Sequence, residues 1–279
     1  MISFVILHYN SYADTKRCVD SILNLKYREK SVVIVDNNSP DNSIDLIDND
    51  YEKKDNVVVI RNKENYGFSK GNNIGCKYAI ENYSPKIICV FNNDIYIKDP
   101  ELIDKILNKY VETKFDVLGT KITLSESGIN QNPINVTTSI PEIDKEIKRM
   151  EISKKILNSP IPYLYWGYNK LFSLLSKNAQ STQSLYGAAL IFSENYYRKF
   201  DKIFPEITFM YGEENFIYYR KVKYSLNFIY EEGIEVIHNH SASTKKSMKS
   251  VVNRWKFQNK FMLIAKKKLK DVYLDDADI

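Results

Sequence analysis

Apolar and β-branched positions gather into four short runs within the first hundred residues: Ile2 to Leu7, Ser31 to Val35, Asn56 to Ile60 and Ile87 to Phe91. Each has the length of a strand and little polar alternation, the pattern of strands buried on both faces. Between them the spacing turns helical. Val19, Ile22 and Leu23 recur within Tyr12 to Leu25, and Ser43 to Asn49 and Ser69 to Tyr83 carry helical spacing or capping residues. Strand and helix alternate without hairpin turns, which predicts right-handed crossovers and a parallel sheet covered on both faces. The N-terminal third is therefore read as a doubly wound α/β unit.

In such a sheet ligands bind at the carboxyl ends of the strands, near the switch in strand order. The residues that follow the four runs are His8-Tyr9-Asn10, Asp36-Asn37-Asn38-Ser39, Arg61-Asn62 with Asn65-Tyr66-Gly67-Phe68, and Asn92-Asn93-Asp94. Asn and Asp in any one such loop are ordinary turn formers that hydrogen-bond their own backbone. Four polar loops at one edge point instead to a shared crevice. There is no Gly-x-Gly-x-x-Gly after the first run and no Walker-type Gly-Lys-Ser, which argues against a dinucleotide oxidoreductase or a P-loop enzyme.

Read in order, these loops resemble the motifs of family 2 glycosyltransferases with the GT-A fold. The resemblance rests on His8 to Asn10, Val35 to Ser43, Asn65 to Gly75 and Phe91 to Asp94. It continues through Gly187 to Ile191, Phe209 to Glu214, and Val236 to Ser243. One such motif is weak; seven in order across residues 2–243 are specific. The resemblance implies a Rossmann-like, mostly parallel central sheet flanked by helices. It also implies inverting transfer of a sugar from a nucleotide-diphosphate donor to a saccharide hydroxyl, with a divalent metal as cofactor. Among members the likeness is to rhamnosyltransferases, which makes dTDP-rhamnose the first donor to consider and UDP-hexoses the next.

The resemblance also implies roles residue by residue. Asp36 would accept from the imide N–H of a uracil or thymine ring. Backbone at His8 and Tyr9, with Asn10, Asn38, Asn65, Lys70 and Asn72, would complete the donor pocket, and Gly67 would let the main chain pass closely. Asn92-Asn93-Asp94 stands where the family carries its Asp-x-Asp metal motif. Asn replaces the first acid, leaving Asp94 as the anionic ligand and Asn92 as a sugar or ribose contact, with Asn93 also among the donor-binding residues. His238 is the expected second ligand, with His240 as competitor, and an imidazole beside a carboxylate favours Mn²⁺ over Mg²⁺. The base that accepts the acceptor proton matches Glu214 by register, with Glu213 kept as the alternative. Without the motif, two acids at a helix start would read simply as partners of the helix dipole.

Residues 125–182 match nothing specific. They hold a charged helical segment, Glu142 to Leu157, and an aromatic run, Tyr163-Leu164-Tyr165-Trp166-Gly167-Tyr168. The run has three readings: core, a sugar-stacking surface, or a membrane interface. After Ser243 the chain turns basic, and Val251, Trp255, Met262, Ala265 and Leu269 recur at helical spacing. The expected organisation is a GT-A domain over 1–243, in which 1–100 bind the nucleotide and 101–243 bind acceptor and carry the base. A basic amphipathic helical tail follows over 244–279. A solvated helix is one account of that tail, and attraction to anionic lipid headgroups is the other.

Composition adds limits. With 279 residues, 43% hydrophobic and 27% charged, the chain has ample material for a core and is not intrinsically disordered. The three cysteines, Cys18, Cys76 and Cys89, lack Cys-x-x-Cys spacing, which excludes a zinc knuckle and a disulfide framework. No run approaches the ~20 apolar residues of a membrane span. The start of the chain lacks a signal-peptide leader. A cytoplasmic protein is expected, peripheral at the inner face of the cell membrane if the tail binds lipid. Its expected task lies in cell-surface or capsular polysaccharide synthesis, on a lipid-linked saccharide acceptor. The net charge is 40 − 35 = +5. Nucleic acid is not an expected partner, because the basic excess lies in the tail and the loops elsewhere are acidic or neutral. Two rival functions remain: a sugar-phosphate nucleotidyltransferase, which needs a Gly-rich basic loop after the first strand, and an inactive nucleotide-sugar-binding partner subunit.

Overall fold

A computed structural model describes residues 1–175, 182–239 and 250–279. The four runs are strands β1 (Ile2–His8), β2 (Lys30–Asp36), β3 (Val57–Arg61) and β4 (Ile87–Asn92), and the helical segments between them are α1 (Tyr12–Leu23), α2 (Ser43–Tyr51) and α3 (Gly67–Tyr83). The strands pair in parallel in the order β3-β2-β1-β4. The first two crossovers run outward from β1 to β3, and the third returns to its other side. The order therefore reverses between β1 and β4, whose carboxyl ends flank a crevice.

Beyond β4 the chain continues through β5 (Ile95–Tyr96), α4 (Leu102–Thr113), β6 (Val117–Leu124), β7 (Ile134–Val136), α5 (Ile140–Leu157), α6 (Leu164–Leu175), β8 (Thr182–Ser184), β9 (Ala189–Ser193), α7 (Glu194–Tyr197), α8 (Glu213–Lys223), β10 (Phe228–His238) and α9 (Val251–Asp275). The full sheet has eight strands in the order β3-β2-β1-β4-β9-β6-β10-β5. Strand β9 runs antiparallel to both neighbours and β5 antiparallel to β10, so the sheet is mixed but mostly parallel. Strands β7 and β8 form a separate pair.

Alternation along the strands divides the core. Phe4, Ile6, Val32 and Ile34 pack with Val19 and Ile22 of α1 and Ile44 and Ile47 of α2, together with Ile103 and Ile106 of α4. Val5, Val33 and Val35 face the other way, with Cys76 and Ala79 of α3 and Ile217 of α8. All three cysteines are buried and free. Helix α3 lies close because it presents glycine to the sheet: a Cβ on Gly75 would come within 2.6 Å of Val5 Cγ1 and 2.7 Å of Val35 Cγ2.

The C-terminal helix α9 is fastened to the domain, more firmly than a solvated tail. Leu269 and Val272 join Ile143 of α5 and Phe216 and Tyr219 of α8 in a third cluster. Lys266, Lys267 and Lys270 pair with Glu146, Glu151 and Asp144 of α5 at 2.6, 2.7 and 2.7 Å. Three of the basic residues read from the sequence thus face acids of the same chain. Among the described residues no helix is long and apolar enough to cross a membrane.

The two valines against Gly75 are stiff at χ1, so they cannot turn aside to admit a methyl group. Gly75→Ala is expected to lower stability by about 1–3 kcal/mol through overpacking. Gly167, inside α6 with nothing within 4 Å of an added Cβ, offers the contrast; Gly167→Ala is expected to raise stability by about 0.5–1 kcal/mol. Urea unfolding midpoints check both, and a neutral Gly75→Ala would refute the packing account.

Candidate active site

Buried polar side chains form the floor of the crevice. His8 is fully buried at the end of β1, its Nδ1 2.7 Å from Thr15 Oγ1 and its Nε2 2.8 Å from Ser43 Oγ. Asn93 Nδ2 donates to the same Thr15 hydroxyl at 3.0 Å. A polar chain therefore runs from α2 through β1 and α1 to the loop after β4. Burial lowers the His8 pKa below its ordinary value, against the opposing charges of Asp36 and Asp41, so the ring stays neutral. His8 carries its contribution into the framework; its carbonyl accepts from Asn37 N–H at 2.9 Å.

Asp36, at the end of β2, is buried and accepts from the Ser39 hydroxyl at 2.6 Å and the Ser39 N–H at 3.1 Å. A carboxylate has about four acceptor sites, so capacity remains for a further donor. Asn38 is exposed with φ +61°, at the tip of this turn. Asn10 N–H donates to Ser39 Oγ at 3.0 Å, which ties the β1 and β2 loops together, and Tyr9 is half-buried beside it.

Asn37 was not among the expected site residues, yet it holds the third loop. Its Nδ2 donates to Asn65 Oδ1 at 2.9 Å and Gly67 O at 3.0 Å, and its Oδ1 accepts from Tyr66 N–H at 3.0 Å and Asn62 Nδ2 at 3.2 Å. Asn65 in turn accepts from Gly67 N–H at 2.9 Å. Gly67 has φ +77°, and a Cβ there would meet the Phe209 carbonyl oxygen at 2.0 Å, so only glycine fits. Asn72 is buried and donates to Phe68 O at 3.0 Å while its Oδ1 has no partner. Lys70 is exposed, with its ammonium 3.9 Å from the centre of the Tyr66 ring.

The loop after β4 meets the end of β10. Asp94 Oδ1 lies 3.1 Å from His238 Nε2, both side chains are buried, and His238 Nδ1 is 2.6 Å from Gln131 Oε1. Asn239 N–H donates to Asp94 O at 2.9 Å, which fixes the two loops to each other. Adjacent ligands on an octahedral ion, each at roughly 2.1 Å, lie about 3 Å apart. The pair therefore has the spacing and the mixed oxygen and nitrogen donors to hold a divalent cation. Among the described residues no group of three or more His, Cys, Asp or Glu converges. Asn92 is half-buried, its N–H given to Ala188 O at 2.9 Å. His240 lies outside the described residues.

The two acids open α8 behind Tyr211 (φ +68°) and Gly212 (φ +86°). Glu214 is half-buried and accepts from Gly187 N–H at 3.2 Å. Glu213 is 7% exposed and its Oε1 has no partner. Burial raises both pKa values. For Glu213 the charge of Glu214 adds to the rise, while for Glu214 the Gly187 N–H and the ammonium of Lys266 oppose it. Tyr186 joins this acid to the Asp94–His238 pair. It precedes Gly187 in the chain and its ring centre lies 6.2 Å from that of His238. Its hydroxyl is pushed up to about 12 by burial and then by the charges of Glu214 and Asp94. Tyr186, Gln131 and Lys266 escape sequence reasoning because each lies outside the recognised motifs.

A profile of glycosyl transferase family 2 matches residues 3–172. The low-salt glycan biosynthesis hexosyltransferase Agl10 of Haloferax volcanii is 24% identical over 265 residues, 94% of this chain and 74% of that protein. The poly(ribitol-phosphate) beta-glucosyltransferase of Bacillus spizizenii is 30% identical over 210 residues, 72% of this chain but only 30% of that protein. Among solved structures, S. aureus TarS 1–349 in complex with UDP-GlcNAc matches with a TM-score of 0.59 at 18% identity, covering 100% of this chain and 67% of that one. Mannosyltransferase PcManGT from Pyrobaculum calidifontis, in complex with GDP-Man and Mn2+, matches with a TM-score of 0.55 at 9% identity, covering 100% and 76%. At these identities the structural likeness speaks for the fold.

The protonation of Glu213 has a consequence for stability. Its folded pKa is raised from 4.5 to about 8, so the folded protein keeps a proton that the unfolded chain releases. That contribution is fully present below about 4.5 and is lost as pH rises through the folded value. Glu213→Gln, neutral throughout, is expected to flatten the decline in stability across this window and to exceed the wild type at its upper end. Chemical unfolding at a series of pH values measures it; parallel pH profiles for the two proteins would contradict the assignment.

Proposed function

Because this chain belongs to glycosyl transferase family 2 and has the GT-A fold, we propose that it transfers a sugar with inversion from a nucleotide-diphosphate donor to a saccharide hydroxyl. The observation that carries the reading is one crevice in which Tyr186 and Gly187 join the Asp94–His238 pair to Glu214. A leaving diphosphate needs charge neutralisation on one side, and an attacking hydroxyl needs a base on the other.

On the donor side, Asp36 is the acceptor for the imide N–H of a uracil or thymine base. Asn10 and Asn38 lie in the loops beside it, and the start of α3 forms the adjoining wall, held by Asn37 and Asn65. A divalent cation, when bound by Asp94 and His238, supplies the charge that stabilises the departing diphosphate. The nitrogen ligand favours Mn²⁺. UDP-sugars stand first among donors, supported by the complex of the TarS neighbour with UDP-GlcNAc; dTDP-rhamnose rests on the motif resemblance alone.

On the acceptor side we assign the base to Glu214. Gly187 N–H and the Lys266 charge favour its ionised form, and it is the more exposed of the two acids. Glu213, buried with an unpartnered oxygen, is suited to hold its proton. The acceptor is a saccharide of surface polysaccharide synthesis, a reading supported by the glycan-biosynthesis and poly(ribitol-phosphate) relatives; its placement on a lipid-linked intermediate rests on the motif resemblance alone.

Glu214→Gln is expected to lower transfer by about 10²-fold or more, the usual worth of a positioned base, while donor affinity by calorimetry stays within about threefold. Transfer near the wild-type rate would move the base to Glu213. In a second measurement Asp94→Ala is expected to abolish the gain in donor affinity that Mn²⁺ confers on the wild type. A variant that keeps this gain would sink the metal assignment.

A further inference from the structure

The aromatic run of the sequence is not core. Ile161, Tyr163, Leu164, Trp166 and Leu171, at and within α6, are between 57% and 71% exposed. Surface apolar residues scattered singly need no explanation, but a contiguous set does. One side of α6 is held: Phe172 lies 5.0 Å under the Arg149 guanidinium of α5. Tyr163 and Tyr165 pack on Trp255, near the start of α9, at 6.3 and 5.3 Å. The other side turns its large side chains to solvent.

The two stretches that build this face carry charge of one sign. There is no Asp or Glu between Ile152 and Leu175, nor between Val251 and Lys270, while Lys154, Lys155, Lys170, Lys256 and Lys260 are exposed in the same two stretches. Leucine, tryptophan and tyrosine on a helix, with an isoleucine just before it and lysines around it, make the composition of an interfacial helix. A second copy of the chain would bring like charges together, which disfavours self-association.

Position along α9 links the face to the site. Trp255 meets the exposed patch, Phe257 and Phe261 pack on Tyr211 and Phe209, and Ala265 is the atom group that a Cβ on Gly212 would strike at 2.9 Å. Ten residues at 1.5 Å each put the acid pair about 15 Å from the patch along the helix axis. That is the reach of a short saccharide.

We propose that α6 and the start of α9 form a docking surface for an anionic lipid bilayer, which brings the sugar of a lipid-linked acceptor to Glu214. The link to the acceptor rests on the proposed transfer function, whereas docking itself does not. The test uses the full chain with vesicles of phosphatidylcholine alone and of phosphatidylcholine with phosphatidylglycerol, at low salt and without donor. The wild type is expected to co-sediment with the anionic vesicles only. The double variant Leu164→Glu, Trp166→Glu is expected to lose binding by about tenfold or more, with an unchanged thermal midpoint and unchanged transfer to a soluble saccharide. Should the double variant misfold, Trp255→Phe leaves Trp166 as the single indole, whose emission should shift to the blue on anionic vesicles. Absence of wild-type binding, binding that survives the double variant, an unshifted emission, or a dimer that the double variant breaks would each overturn the docking surface. Loss of transfer to the soluble saccharide in every assay, with vesicle binding intact, would instead count against the function.

Discussion

The crevice depends on a single constraint: a polar group removed from water at the end of a buried parallel strand must find a partner in the protein. Asn37 meets it most fully. Its amide and carbonyl oxygen reach Asn62, Asn65, Tyr66 and Gly67, so the end of β2 and the start of α3 are one hydrogen-bonded unit. His8 does the same between α1 and α2. The side chains of these two residues bond within the protein, and they set where Asp36, Asn93 and the first turn of α3 stand. Leaving one such buried partner unpaired costs about 1–3 kcal/mol.

Much of this was legible in the sequence. The first four strands and three helices follow from apolar runs and helical spacing, and every one is present, whereas the two-residue β5 is too short to leave a pattern. Periodicity said nothing of β9, an antiparallel strand inserted between β4 and β6, because pairing partners distant in the chain leave no local trace. The aromatic run was harder still. Tyr163 and Trp166 are of residue types most often buried, and only the packing of α6 on α5 shows that they are not. The meeting of Asp94 with His238 followed from motif order. The link through Tyr186 did not, since a tyrosine outside any motif carries no signal of its own.

The tail illustrates how composition misleads about electrostatics. A count of lysines after Ser243 suggests a free cationic face. Three of them are matched to acids of α5, and Lys266 is buried, close enough to Asn215 and Glu146 to bond both. Its charge acts inward, on Glu214, where low dielectric strengthens it. The acid pair therefore sits between opposing influences: burial, which favours the protonated forms, and an ammonium from the last helix, which favours charge on one of them.

The contact between Gly67 and Phe209 joins the donor half of the chain to the acid half, and it is made of main-chain atoms: Phe68 N–H donates to the Phe209 carbonyl at 2.8 Å, over the space that a Gly67 side chain would fill. A carbonyl is supplied by whatever residue occupies position 209, so substitution there forfeits the ring contact with Phe261 and keeps the joint. Position 67 has no such latitude. The two sides of one contact thus differ in the sequence freedom they leave, and related chains can vary the acid side of the crevice without loosening its tie to the donor side.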